Sequence, residues 1–503
     1  MKNNFDAIVV GAGPVGLLCA IELALGGVRV CVLERLASPS MVTKALGIGP
    51  LGSEALQRRG MGAAIAAAEE EMLAARARHA AQTGQAMASS PGGGRPRLGG
   101  HFAGLSLIRA DLQAEPQRRA RLLGQQAIEA ALAERVHALG IEVRREVDVT
   151  GFSEDGEGIT VNWMSPAGSG QARAGYLIGC DGGRSAVRKL AGFDFPGVDP
   201  SMTMYNVVVE LDHPELLPPG WQRTSTGVYA HGFMPGRLIM LDFSGPPADR
   251  AAPVTRDEVE ALLRHISGKD IRVKSIGEAG KWTDNTRLVD TYRRGRVLLA
   301  GDAAHIHSPF GGQGLSLGLV DAANLGWKLA AVIRGTMPEG LLDTYTAERR
   351  PVAEAVLANT LAQAALMRPD AQSGAIRDIF ARLLQLDDVN RLVGQMTSGF
   401  NTRYDFDAAR DEVGRLIGDR PVRLGGGEGE TTLYELMHDG KGVLLDASGG
   451  AASNHIAGGL PIRCVEIETG PSMLIRPDAC VAWAADEGDL AGLDAALQAW
   501  FVS

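Results

Sequence analysis

Apolar residues first gather along this chain at residues 5–10, Phe-Asp-Ala-Ile-Val-Val, a run whose Val and Ile content predicts a short buried strand. A glycine turn follows, and Leu17, Leu18, Ile21 and Leu25 then recur at helical spacing as far as Gly26. Residues 28–33 return to a β-branched run, so the chain opens with a predicted β-α-β unit. Further on, residues 121–140 read as a helix, 141–149 as a second short strand, and 158–163 and 176–180 as hairpin-like strands. Between about 195 and 290 the period shortens toward two, as in residues 205–211 and 237–243, with Pro and Gly turns between the runs. That stretch predicts a sheet domain inserted into a nucleotide-binding one. Another strand-turn-helix follows residues 297–300, and long helices run to about 397 with a break at Arg368-Pro369-Asp370. The last hundred residues alternate short strands and helices. Residues 62–88 are Ala-rich and helix-prone but end in Ser89-Ser90-Pro91-Gly92-Gly93-Gly94-Arg95-Pro96, which predicts a mobile surface insertion over about 62–120.

Composition narrows the class. A chain of 503 residues, 45% apolar and 22% charged, has the make-up of a soluble globular protein of two or three domains. Its 65 glycines and 24 prolines carry no collagen-like period and predict many tight turns and close backbone approaches. Fifty basic against 59 acidic residues, a net charge of −9, argues against nucleic acid or an anionic membrane as the main partner. Five scattered cysteines with no C-x-x-C pair suit the reduced thiols of a cytoplasmic protein. Residues 7–21 are apolar behind Lys2, yet three glycines, a proline and then Glu22 make them a strand and turn rather than a signal peptide or membrane span.

Three constellations carry chemistry. Gly11-Ala12-Gly13-Pro14-Val15-Gly16 follows a predicted strand and opens a helix, and Glu34 stands 18 residues beyond Gly16 at the end of the next strand. Gly11 permits the tight turn, Gly13 lets backbone N–H groups approach a pyrophosphate, Gly16 allows the helix to pack on the strand, and Glu34 can accept ribose hydroxyls. An acidic residue there disfavours a 2′-phosphate, so FAD or NAD is expected before NADP. The second is Cys180-Asp181-Gly182-Gly183-Arg184-Ser185, after a strand. The third runs from Gly295 through Gly301-Asp302-Ala303-Ala304-His305 and Ser308-Pro309-Phe310-Gly311-Gly312-Gln313-Gly314 into a helix bearing Asp321, Asn324 and Trp327. An Asp at a strand end can bind ribitol hydroxyls, and a glycine loop at a helix N-terminus can aim donors at an electron-rich ring edge. Taken singly, each is also ordinary turn chemistry.

In their order and spacing the three motifs resemble the class A flavoprotein monooxygenases typified by para-hydroxybenzoate hydroxylase, over residues 5–357. The strings Gly100-His101-Phe102-Ala103-Gly104-Leu105, Met367-Arg368-Pro369-Asp370 and Ser398-Gly399-Phe400-Asn401-Thr402-Arg403-Tyr404-Asp405 are similar to those of bacterial hydroxylases of angucycline- and tetracycline-type polyketides and of rifampicin monooxygenase. Residues 474–483 resemble the thioredoxin-like C-terminal domain of those enzymes, without its redox cysteines. The implied fold class is α/β, with a Rossmann-like FAD-binding domain at 1–195 and 285–400, an inserted β-sheet substrate domain at 196–284 and a thioredoxin-like domain at 401–503.

The resemblance implies that Gly11, Gly13, Pro14, Val15, Gly16, Glu34 and Arg35 hold the ADP half of FAD and that Lys44, Ala45 and Gln125 contact the nucleotide region. It implies further that Asp302 after Gly301 binds the ribitol, and that Pro309, Gly311, Gly312, Gln313, Gly314 and Leu315 face the pyrimidine edge of the flavin. Asp181 and Gly182 are implied in both FAD and NAD(P)H contacts. Lys44 replaces the family's usual Arg, Phe310 a small residue and Ser316 an Asn; lysine lacks the guanidinium fork, and Phe310 narrows the pocket. The implied activity is hydroxylation of a polycyclic aromatic substrate with O2 and NADPH or NADH through a C4a-hydroperoxyflavin, by a cytoplasmic monomer or homodimer. Such chemistry belongs to the cofactor and asks the protein for placement and dryness, so neither a catalytic triad nor a metal site is expected. The pair His305 and His307 reads as part of the flavin-loop strand end rather than as metal ligands. Alternatives are a monooxygenase that inactivates an antibiotic and, from another class, a flavin-binding protein that oxygenates nothing. Tyr205, Trp221, Tyr229, His231, Phe233 and Met240 offer an aromatic wall of which half should be plain core. Glu69-Glu70-Glu71 reads as a solvated helix face, and Tyr345 with Glu348-Arg349-Arg350-Pro351 as a helix end packed on the FAD domain.

Overall fold

The structure, a computed structural model, describes residues 4–40, 45–83, 100–232, 234–250, 252–425, 429–456, 458–486 and 488–502. Its largest sheet has a parallel core in the order Val297–Leu299, Gly168–Gly179, Asn4–Val10, Val30–Leu33, Glu142–Arg144. Asn4–Val10 and Val30–Leu33 are almost entirely buried, as expected of parallel strands covered on both faces. The run predicted at 141–149 divides in two. Glu142–Arg144 joins the parallel core, while Asp148–Asp155 turns away and pairs antiparallel with Gly158–Ser165.

Two helices cover the sheet beside its central strand. Pro14–Leu25 and Gly314–Ile333 run parallel in a close seam, because β-carbons at Gly318, Gly326 and Gly26 would lie 2.7, 2.2 and 2.4 Å from Val15, Glu22 and Ala330. Small residues are required along this line, and the seam brings the two helix N-termini to one end of the sheet. The stretch Phe310–Ile333 is long and apolar enough to cross a membrane, but its most apolar part is mostly buried inside the fold, as in the core helix of a domain.

The second sheet has the order Val273–Thr283, Thr203–Leu211, Arg237–Asp242, Val228–His231, Gly220–Arg223, all antiparallel. One face, with Tyr205, Tyr229 and Met240, packs on the Arg256–Ser267 helix. The other presents Met204, Asn206, Trp221 and Ile239 to a large cavity. Of the predicted aromatic wall, Trp221 faces that cavity; Tyr205, Tyr229 and Met240 are core beneath the sheet, and Phe233 lies outside the described residues.

Three expectations are corrected. The insertion is not a surface appendage in its second half: Phe102 and Ile108 join Leu241, Phe310, Leu366 and Val393 in one apolar cluster. Its Gly-Pro stretch lies outside the described residues. Glu69 is 4% exposed rather than solvated, because Arg119 and Arg121 donate to its carboxylate at 2.6 and 3.1 Å. Tyr345 and Pro351 do not end a helix but lie inside Asp343–Met367, where buried Tyr345, Arg349 and Leu357 outweigh the backbone hydrogen bond that proline removes. After the predicted break, Asp370 caps Ala371–Leu383 through Ser373 N.

The C-terminal part builds a four-stranded sheet in the order Ile462–Glu466, Gly442–Asp446, Ser472–Ile475, Val481–Ala485. It is fastened to the rest by buried charge. Arg476 donates to both oxygens of Glu348 at 2.8 and 2.7 Å, Asp478 accepts from Asn324 at 3.0 Å, and Lys328 sits 2.9 Å from Glu348. Arg476 also lies 4.4 Å over the Trp500 ring, and Arg59, paired with Glu22, donates to the carbonyls of Met437 and Pro477.

Candidate active site

At the C-terminal end of the central strand the backbone turns at Gly11, whose φ is 105° and where a β-carbon would lie 2.4 Å from Cys180 O. Gly16 must be glycine for packing, since its β-carbon would lie 2.0 Å from Gly11 O. Gly13 differs: a β-carbon there meets nothing within 4 Å, so the space it leaves open lies on the cavity side. Pro14 occupies the first helical turn, where its missing N–H costs nothing. Glu34 accepts from Ala12 N at 2.7 Å and from Leu36 N at 2.8 Å, which ties the second strand's end to the glycine turn. Each carboxylate oxygen keeps a lone pair for a further donor. Gln125 opens the Gln125–Ala138 helix; its N–H donates to Ala45 O and its side chain to Glu129 at 2.7 Å. Arg35 is exposed at the cavity rim. Lys44 lies outside the described residues.

The second constellation performs a structural task that the sequence concealed. Asp181 Oδ2 accepts from Ala186 N and Val187 N at 2.6 and 3.1 Å, closing the loop that holds Gly182 at φ 79°. Its Oδ1 is buried without a partner among the described residues. Arg188 then donates to Ala303 O at 3.0 Å, joining this loop to the third one.

In that third loop Gly301 has φ 60° and its N–H reaches Asp321 Oδ2 at 3.2 Å, while Asp302 is exposed on the cavity and makes no hydrogen bond among the described residues. Past Pro309, Gly311 and Gly312 take φ 77° and 62°, conformations that favour glycine, and carry the chain into the Gly314–Ile333 helix. Open space stands over Gly312. Gln313 is committed elsewhere: it donates to Met396 O and Thr397 O and accepts from Asn359. Only its backbone, with those of Gly314 and Leu315, is left for a ligand. Ser316 Oγ accepts from Gly49 N at 2.9 Å, and Phe310 is buried against the cavity floor.

Sequence reasoning missed what holds this loop. Asp321, wholly buried, accepts from His305 Nε2 at 2.6 Å and from Arg349 Nε at 2.8 Å, besides Gly301 N. Arg349 in turn donates to the Tyr404 hydroxyl at 3.0 Å. Burial opposes ionisation of Asp321, but the Arg349 and His305 charges outweigh it and keep its carboxyl below the usual range. His305 is thus a partner of Asp321. Burial holds the neighbouring His307 imidazole below its ordinary pKa.

All three loops open on one cavity of about 1740 Å³, bounded on its far side by the second sheet and by residues 394–403. Single-ligand sites span about 300–1,000 Å³, so this one has room for a dinucleotide and a second molecule. Two helix N-termini aim into it, an arrangement suited to a diphosphate. Unfilled space over Gly13, Gly182 and Gly312, the lone oxygen of Asp181 and the unengaged carboxylate of Asp302 fit an extended dinucleotide.

Residues 4–360 match the family described as FAD binding domain, and residues 411–503 the one described as aromatic-ring hydroxylase, C-terminal. The chain belongs to the flavoprotein aromatic hydroxylases. Among relatives in this hydroxylase family, it is 37% identical to the 12-dehydrotetracycline 5-monooxygenase/anhydrotetracycline 6-monooxygenase of Streptomyces rimosus subsp. rimosus, over 99% of each chain. It is 38% identical to a rifampicin monooxygenase of Streptomyces venezuelae, covering 99% of this chain and 98% of the other. Among hydroxylase structures, that of OxyS anhydrotetracycline hydroxylase from Streptomyces rimosus superposes with a TM-score of 0.83 at 36% identity, over 99% of both chains.

Proposed function

We propose that this flavoprotein hydroxylates a polycyclic aromatic compound of polyketide type, using FAD, O2 and NADPH or NADH. The observation that carries the reading is the single cavity in which three loops distant in sequence meet an apolar sheet face. Glu34 would hold the adenosine ribose, the helix N-terminus at Gly13 the diphosphate, and Asp302 the ribitol. The N–H groups of residues 311–315 would face the flavin's pyrimidine edge and favour negative charge there. Bound there, FAD would supply the redox and oxygen-activating chemistry that hydroxylation of an electron-rich ring requires. The chain's own part is to orient two ligands edge to edge. Phe310, Met204, Ile239 and Trp221 keep the second chamber apolar and exclude water.

The test is direct. The purified protein should be yellow, and tetracyclic phenols should stimulate NAD(P)H oxidation with matching oxygen uptake and yield a product one oxygen atom heavier. Flavin binding without substrate-stimulated oxygen uptake would instead support the non-oxygenating alternative. Resistance conferred on a sensitive host would favour antibiotic inactivation over a biosynthetic step.

A further inference from the structure

Residues 102–105 form a tight turn in which Phe102 and Leu105 exchange backbone hydrogen bonds at 3.1 and 2.9 Å and Gly104 takes φ 72°. The turn aims the Gly104 N–H at His101 Nδ1, 3.2 Å away. A ring nitrogen that accepts a hydrogen bond cannot carry the proton, so the neutral imidazole holds it on Nε2. Burial, helped by the nearby Arg377 guanidinium, pushes the imidazole pKa down to about 4, so the ring is uncharged at any neutral pH. Arg377 is itself fixed by donating to Ala103 O, and the Arg223 guanidinium is near enough to oppose its charge. Trp221 lies against the His101 ring, with centroids 5.5 Å apart and planes inclined by 56°.

The Nε2–H has no partner among the described residues, and His101 lines the cavity. It also stands close to the flavin-facing loop. Ala103 N donates to Gln363 Oε1 at 3.0 Å, and Gln363 Nε2 would lie 3.0 Å from a β-carbon at Gly311. A fixed N–H donor beside the apolar sheet face, with a guanidinium behind it, favours a ligand that offers an oxygen acceptor there.

We propose that His101 is a substrate-binding residue whose Nε2–H donates to a phenolate or ring-carbonyl oxygen of the polycyclic substrate, setting which ring edge faces Gly311. The assignment rests on the hydroxylase reading above. His101 is not a base: Nε2 already bears its proton and Nδ1 is engaged by Gly104. A phenol bound here loses its proton to solvent, and the resulting phenolate is held by the Nε2–H and by the field of Arg377. Two outcomes follow. The bound phenol ionises at a lower pH than it does free in solution, and substrates lacking an oxygen at that edge are poorly held.

Alizarin, a hydroxyanthraquinone whose visible spectrum shifts on ionisation, serves as the probe. It is titrated from pH 5 to 9 with oxidised, FAD-loaded enzyme of wild type, His101→Leu and His101→Gln, with no nicotinamide present. Wild type should lower the dye's ionisation pH. His101→Leu should lose that shift and bind the dye about tenfold more weakly, as expected for one buried hydrogen bond, with FAD content and urea midpoint unchanged. His101→Gln, which keeps an N–H near the same place, should restore most of both. An unshifted dye on wild type, or equal shifts and affinities in wild type and His101→Leu, overturns the assignment. So does a pKa near 6–7 in the kcat/KM profile that vanishes in His101→Leu, because it would mark His101 as a base. If polycyclic phenols stimulate oxygen uptake while His101→Leu behaves as wild type, only the assignment fails. If wild type neither binds alizarin nor responds to any such phenol, the hydroxylase reading fails with it.

Discussion

Three glycines of the first motif look alike in sequence and differ in what they would do to a methyl group. At Gly16 an added β-carbon collides with the backbone of Gly11 at 2.0 Å, so Gly16→Ala should cost about 1–3 kcal/mol or more of stability, read from urea unfolding of the flavin-free protein. At Gly13 the same methyl meets only open space. Gly13→Ala should therefore leave unfolding within about 1 kcal/mol of wild type while FAD affinity, followed by quenching of flavin fluorescence, falls at least tenfold. Equal behaviour of the two variants would contradict the separation of packing from ligand approach. Glu34 tests the next contact outward. Glu34→Ala removes a charged acceptor and should weaken FAD by about ten- to a hundredfold in the same titration, the worth of one or two hydrogen bonds to a charged group.

On the scale of elements, the Gly314–Ile333 helix and the loop before it are held by Asp321, which gathers Gly301, His305 and Arg349. Replacing the carboxylate strands a buried guanidinium. Asp321→Ala should lose about 3–5 kcal/mol in urea unfolding, and retained stability would show that the loop does not depend on it. The glycine fingerprint and the long helices were legible because turn chemistry and helical period are local. The Asp321–Arg349–Tyr404 chain was not, since it joins residues 28 and 55 positions apart whose neighbours carry no common pattern. Glu69 misled for the same reason: its partners Arg119 and Arg121 lie 50 and 52 residues away, and a run of three glutamates reads locally as solvated. Alternation placed half of the second sheet's residues in the core, but only the observed register shows that Trp221 faces the cavity and Tyr205 the helix beneath. His101 carries no sequence signal beyond the Gly100–Leu105 string, because its role depends on a tautomer set by a turn.

Across the whole molecule, the decisive feature is the charged seam between the FAD-binding part and the C-terminal sheet. Burial lowers the Lys328 ammonium to about 8 even beside Glu348. An unfolded chain keeps this proton until about pH 10.4, so between 8 and 10.4 the unfolded state binds more protons and stability rises with pH. Lys328→Met lacks that gain. Wild type minus variant, compared by urea midpoints at pH 7, 9 and 10.5, should therefore become more favourable to wild type as pH rises, and a flat difference would refute the shift. Glu348 has the same sign of dependence in a lower window. Burial disfavours its charge, but Arg476 and Lys328 prevail and hold it at about 2, so its contribution is complete above about pH 4.5 and is lost as pH falls toward 2.

The same seam sets an order on biosynthesis. Lys328 and Glu348 leave the ribosome well over a hundred residues before Arg476 and Asp478 arrive to complete the cluster. Until those last strands clear the exit tunnel, the Lys328–Glu348 pair lacks its Arg476 and Asp478 partners, so the long helices receive their full set of buried charge partners only once the C-terminal sheet has been made.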